Sequence, residues 1–376
     1  MSAREDRGLL DTARWISAGM VAFGHSWAAV MARESSPLSR VLWFIADTRH
    51  SWVIIFFVLS GYLVGGKMLL RADRFDFKAY AIARFARIYV VLLPALALTA
   101  LLDGAAHILA PHSPIYAGDW ANGLFGDVPP FARYGLHEVM ASLLSLENAI
   151  GAPMGSDGPL WSLGFEWMFY FAFPALVLLA DAVARLTGLP RPACRSVLLA
   201  GSVALLAARH MPYAGLLWLI WMGGAVAHVL VEQDRSITLI RWLGGRLCVI
   251  GFALTLKLDH HYTDAVIGLG FVMFLSLYPV GERGWAPRLD HRLSAASYSL
   301  YLIHLPLIAF LCMALNNHGL LPLGGLPLGP TSLGLLAGLG LVVAAATAAF
   351  YLTFERHTVA VRKALSQWLG AKPAAA

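Results

Sequence analysis

The stretch Arg14-Trp-Ile-Ser-Ala-Gly-Met-Val-Ala-Phe-Gly-His25 decides how the chain is read, because it sets two ionisable side chains inside an otherwise apolar run. In an α-helix eleven residues advance about 1100°, three turns plus roughly 20°, so Arg14 and His25 share a face about 16 Å apart along the axis. That separation is about half the hydrocarbon core of a bilayer. Ionisable groups at such depth are costly unless they face a bundle interior or a watery cavity, which points to function. A simpler reading makes Arg14 a snorkelling residue and His25 a hydrogen-bonded core histidine. It is weakened by Ala18 and Ala22, which leave the intervening face open to close approach by a neighbouring helix or a thin ligand.

The surrounding chain supports a membrane setting. Of 376 residues, 59% are hydrophobic and 13% are charged, against about 25% charged in soluble domains. A soluble globular protein is thereby excluded, and an all-α, polytopic transmembrane bundle is expected. Apolar runs fall near residues 9–31, 51–70, 85–108, 160–180, 197–209, 213–231, 243–258, 265–281, 297–315 and 333–354, which makes about ten spans. The fifth and seventh are short, and the His210-Met-Pro-Tyr213 turn makes a tight hairpin of the fifth and sixth. A signal peptide is the competing reading of the first run, with Arg4 and Arg7 as its basic region, but an apolar signal core should not carry both an arginine and a histidine.

Even-numbered spans put both termini on one side. With the termini cytoplasmic, every Lys and Arg falls on the inner side except Arg33, Arg40, Arg49, Arg133, Arg209 and Lys257, so the net charge of +6 reports orientation and not nucleic-acid binding. Cys194, Cys248 and Cys312 are too few and too scattered for a disulfide framework and read as packing residues. The long outer loop, from about Ala110 to Pro159, reads as an ordered cap. In it Tyr134 to Ile150 form a short interfacial helix, and Trp120 and the loop acids serve either as sugar contacts or as an interfacial anchor with solvated acids.

Chemistry-bearing residues recur at helical spacing. The second span contains Phe56-Phe-Val-Leu-Ser-Gly-Tyr62, with Ser60 at its centre, and is followed by Lys67, Arg71, Arg74, Lys78, Arg84 and Arg87. This cluster suits anionic lipid headgroups. Arg84 and Arg87, three apart and opening the third span, are also placed to hold ligand phosphate, as rim arginines that contribute more to binding than to packing. In the fourth span Ser162, Glu166 and Tyr170 stack on one face, and Glu166 is the acid well inside a confident span. A buried carboxylate must be protonated, paired or wet, so Glu166 is assigned to a site. In the ninth span Ser297, Tyr301 and His304 share a face, as a site or as polar glue between helices. Asp259-His-His-Tyr-Thr-Asp264 has metal-ligating residue types but reads more simply as a solvated outer turn; no nucleotide-binding glycine fingerprint or zinc-protease His motif occurs.

Taken in order, Arg14 and His25, Phe56-Phe-Val-Leu-Ser-Gly-Tyr62, Arg84-Phe-Ala-Arg87 ahead of Pro94, Trp161-Ser-Leu-Gly-Phe-Glu166 with Phe169-Tyr170, and Ser297-Tyr-Ser-Leu-Tyr-Leu-Ile-His304-Leu-Pro306 resemble the membrane-bound acyltransferase-3 family. The resemblance implies a transmembrane domain over 1–356, followed by a cytoplasmic C-terminal tail at 357–376. It also implies a multi-pass location in the bacterial cytoplasmic (inner) membrane. Its implied activity is O-acylation: an acetyl or other short acyl group passes from cytoplasmic acyl-CoA, a substrate and not a bound cofactor, to a hydroxyl of a glycan, a lipid-linked saccharide or a small molecule. On that basis His25 is the general base and Glu166 its orienting acid. Arg14, Arg84, Arg87, Ser60, Ser162, Tyr170, Tyr301 and His304 bind substrate, and no metal is required. The rival class is a proton-coupled transporter or flippase using His25, Glu166 and His304 as a relay. Direct transfer and an acetyl-histidine intermediate both stay open, as do the monomer and the homo-oligomer.

Overall fold

The computed structural model describes residues 8–118, 129–147, 149–209, 211–233, 238–255, 258–276 and 287–371. Arg4, Arg7, Trp120, His210 and Lys257, on which parts of the sequence reading rest, lie outside them. The described chain is helical without a strand, apart from two isolated bridges. Its main helices are α1 (Gly8–Val30), α2 (Pro37–Asp47), α3 (Arg49–Ser60), α4 (Phe77–Leu109), α5 (Leu136–Leu144), α6 (Leu160–Thr187), α7 (Arg191–Ala208), α8 (Pro212–Glu232), α9 (Thr238–Leu254), α10 (His260–Leu275), α11 (Pro287–Asn317), α12 (Pro330–Thr353) and α13 (Thr358–Trp368).

Each expected apolar run overlaps a helix among the described residues, and seven helical stretches there are long and apolar enough to cross a membrane. The three others have physical reasons to fall short: α1 carries Asp11, Arg14 and His25, while α9 and α10 have 17 and 16 residues. α1 runs unbroken from Gly8 to Val30, so the Arg14–His25 spacing is that of a continuous helix. The segment expected as a tail holds α13, which packs against α4 and accepts a hydrogen bond from Lys78 at the Leu369 carbonyl. In the long loop, α5 occupies part of the segment expected to be helical and leaves Leu136, Met140, Leu143 and Leu144 exposed.

The chain divides into two compact units. The first comprises Met1–Arg14, His50–Asp76 and Phe165–Pro287. At its centre α3 gives way to a π-helical turn, Gly61–Gly66, which is almost wholly buried and packs against α8. The approach is backbone to backbone: a Cβ on Gly61 would lie 1.8 Å from the Trp221 carbonyl oxygen, and one on Gly224 would lie 2.1 Å from that of Val58. Small residues at helix contacts permit this closeness, and π turns concentrate at functional sites. Around the contact Phe169, Phe173, Trp218 and Trp221 form an aromatic core, with the two indoles stacked 5.7 Å apart.

The second unit comprises Trp15–Arg49, Phe77–Gly164 and Arg288–Ala376. Its core joins Trp27, Val30 and Met31 of α1 and its end to Trp43, Ile308, Cys312, Leu339 and Val343. Leu326 pins the chain leaving α1, exchanging backbone bonds with Val30 and Ala32 at 2.8 Å. The long loop after α4 is anchored on Asp103 of α4, a buried acid that accepts from Tyr116 Oη (3.0 Å), Tyr134 Oη (2.6 Å), Ser156 N (2.9 Å) and Ser156 Oγ (2.7 Å). Two further loop acids, Glu147 and Asp157, are fully buried. Burial pushes the Glu147 carboxyl up to about 8, with partial relief from its own amide and Ser142. Burial also pushes Asp157 well up, reinforced by Glu147 and Asp103.

Two outcomes follow from this packing. Gly61→Ala places a methyl group against a backbone carbonyl that no rotamer change relieves, so thermal unfolding should show a loss of about 1–3 kcal/mol or more. Gly338→Ala, which meets nothing within 4 Å, should be neutral or better. Glu147 holds its proton more tightly folded than unfolded, so its contribution is intact below its ordinary value of 4.5 and declines as pH rises toward 8. Melting temperatures across that window should fall less steeply for Glu147→Gln than for the unsubstituted protein.

Candidate functional site

Within the second unit α1 and α11 bring two histidines together. His25 Nδ1 lies 2.9 Å from His304 Nε2, with the rings 5.1 Å apart and nearly parallel at 24°. The other nitrogen of His304, Nδ1, faces the carbonyl oxygens of Tyr301 (2.8 Å) and Leu300 (3.0 Å). Carbonyls only accept, so in a neutral ring this bonding pattern puts the His304 proton on Nδ1 and leaves a lone pair on Nε2. That lone pair can only accept, so His25 carries its proton on Nδ1 and presents Nε2 as the basic nitrogen. His304 is fully buried, whereas His25 is partly exposed. Ala18 and Ala22 below it are buried.

One turn from His304 on α11, the Tyr301 hydroxyl meets Ser162 Oγ at 2.6 Å, and both reach the Pro159 carbonyl, at 3.1 and 3.3 Å. The start of α6 is thereby tied to the helix that carries His304, and Tyr301 and His304 keep the shared face expected for them. Ser297 does not join them, since its hydroxyl bonds back to the Ser294 carbonyl.

Arg87, expected as a rim residue, has a structural partner. Its Nη1 lies 2.6 Å from Oε1 of buried Glu355, and its guanidinium sits over the Tyr298 ring at 4.9 Å. The other Glu355 oxygen accepts from Ser299 N (3.0 Å) and Oγ (2.7 Å). Arg84, one turn earlier, lies near the Tyr80 ring at 5.7 Å. Sequence reasoning missed Glu355, Ser299 and Asp103; an acid closing the last apolar run was the available signal for Glu355.

The first unit gathers a second set. Trp221 Nε1 donates to Ser60 Oγ (3.1 Å), Ser60 Oγ to Tyr170 Oη (3.3 Å), and Tyr170 Oη to Glu166 Oε1 (2.5 Å). All three donors point one way, toward the Glu166 carboxyl oxygen. Tyr170 and Glu166 share a face of α6 as their spacing implied; Ser162 and His25 belong to the other unit, as do Arg84 and Arg87, while Arg14 belongs to this one.

Removing Arg87 strands a buried carboxylate, so Arg87→Ala should cost about 3–5 kcal/mol in thermal or denaturant unfolding. Part of that should return in the Arg87→Ala/Glu355→Ala double variant, because the pair is coupled.

The chain matches the family model described as an acyltransferase domain over residues 8–353. No curated protein and no solved structure matches it. With nearly its whole length covered, the chain belongs to the acyltransferase-3 family and is a membrane acyltransferase.

Proposed function

We propose that the protein moves an acetyl or other short acyl group from cytoplasmic acyl-CoA to a hydroxyl of a glycan, a lipid-linked saccharide or a small molecule at the membrane or its outer face, with His25 as general base. The observation that carries this reading is the histidine pair: His304 faces two carbonyls through Nδ1 and His25 Nδ1 through Nε2, an arrangement that in neutral rings makes Nε2 of His25 the basic nitrogen. A base must be neutral, correctly oriented and reachable, and a partly exposed His25 in this tautomer has those properties.

In the proposed step His25 Nε2 takes the proton of the acceptor hydroxyl as its oxygen attacks the thioester carbon. The C–O bond forms, the C–S bond breaks, and the imidazolium returns the proton to the departing CoA thiolate. Arg84, in the second unit with His25, is the proposed phosphate contact of the donor. Arg87 contributes through its place beside Arg84 on α4, held there by Glu355. Ser60, Tyr170 and Glu166 form a polar line in the first unit, with Glu166 as its charged end, and we assign them to substrate positioning.

His25→Ala should lower specific activity about 10²- to 10⁴-fold while acyl-CoA still binds. Both quantities should be measured on the same folded preparation. Activity within a few-fold of the unsubstituted protein refutes the proposed role. Glu166→Gln keeps the hydrogen-bond reach but loses the charge toward which the donors point, so a large loss of activity at normal expression is expected; near-normal turnover removes Glu166 from the site. Incubation with labelled acyl-CoA and no acceptor should leave the protein unlabelled, because direct transfer forms no acyl-enzyme.

A further inference from the structure

A separate cluster sits at the start of α10 in the first unit, and we infer that Asp259, His260 and His261 bind a divalent transition-metal ion of the zinc class. Asp259 caps α10, its Oδ1 accepting from His261 N at 2.9 Å, and this holds the carboxylate at the helix end. His260 Nδ1 lies 3.4 Å and His261 Nε2 3.9 Å from the same oxygen, and the three ligand atoms lie within 4.8 Å of one another. Tetrahedral zinc, with bonds of about 2.0–2.1 Å, spaces its ligand atoms about 3.4 Å apart. The cluster reaches that spacing by small rotations of exposed side chains, with no backbone change.

The wall behind these residues is built and fixed. His260 and His261 stack at 4.4 Å; Tyr213 presents its ring at 4.5 Å to His261, and His50 packs at 5.1 Å against His260. Tyr213 and His50 are themselves held by fully buried Asp264, whose Oδ2 accepts from His50 Nε2 (2.9 Å) and Tyr213 Oη (2.8 Å). Three helix starts, those of α3, α8 and α10, thus supply one cluster. Both imidazoles converge on one carboxylate against this aromatic wall, as the side chains around a single ion do. Two imidazole nitrogens and a carboxylate suit zinc or nickel, whereas calcium and magnesium select oxygen-rich sites. The remaining coordination positions are left to water or to a ligand donor atom.

The inference is independent of the acyl-transfer reading, and its test needs no activity assay. Detergent-purified full-length protein, freed of any affinity tag and of metal by chelation, should be titrated with zinc chloride by calorimetry. One site per chain is expected, and the His260→Ala/His261→Ala double variant should lose about tenfold or more in affinity. Asp259→Asn keeps the cap's size and its backbone bond, and should also weaken binding; circular dichroism verifies folding of each variant. Zinc should raise the melting temperature of the unsubstituted protein and not that of the double variant. Absence of zinc binding to the unsubstituted protein, or equal affinity in the folded double variant, overturns the inference.

Discussion

The hydrogen bond between His25 and His304 gives the proposed chemistry its direction. Buried polar atoms must be satisfied, and two carbonyls on α11 satisfy His304 in only one tautomer. The consequence passes along the pair to His25. In hydrolytic triads an ionised carboxylate holds the base and stabilises the imidazolium that forms. Here the neighbour is a neutral ring, so orientation is supplied without a fixed negative charge. Such a base is weaker, and it suits a reaction whose leaving group is a thiolate and departs more readily than an alkoxide or amine. The pairing thus fits the proposed thioester donor on chemical grounds.

Elsewhere the two units meet the cost of charge in an apolar chain by giving acids local partners. Glu355 has Arg87 and Ser299, Asp103 has two tyrosines and Ser156, and Asp181 takes a bidentate contact from Arg195 at 2.7 Å. Glu147 and Asp157 follow the other route, in which burial favours the protonated form. The partnered acids hold the loop and the helix ends in place. Glu166 differs, since hydroxyl and indole donors lead to it in a line.

Hydropathy made the helices legible because a bilayer-length apolar run has few other uses, and helical period placed Arg14 with His25 and Tyr170 with Glu166. Period assigns a face, however, and not the neighbour across it. That His25 meets His304, 279 positions away, and that Arg87 meets Glu355 are tertiary facts with no local signature. The same limit explains why Arg87 looked like a rim residue. The π turn at Gly61–Gly66 was likewise hidden: its glycines were visible, but the wider winding they allow depends on the contact with α8. Asp103 was passed over because it lies near the end of a span, where an acid is inexpensive if wet; its burial comes from the loop folding over it.

The most direct test of this account is the protonation pattern of the pair itself, read from ¹⁵N chemical shifts of histidine-labelled protein in lipid at neutral pH, with His25→Ala and His304→Ala samples providing assignment. The account predicts that both rings are neutral and protonated on Nδ1, with the Nε2 of each in the unprotonated range. A His25 ring protonated on Nε2 contradicts it, because the nitrogen assigned as the base would then have no lone pair to accept the proton.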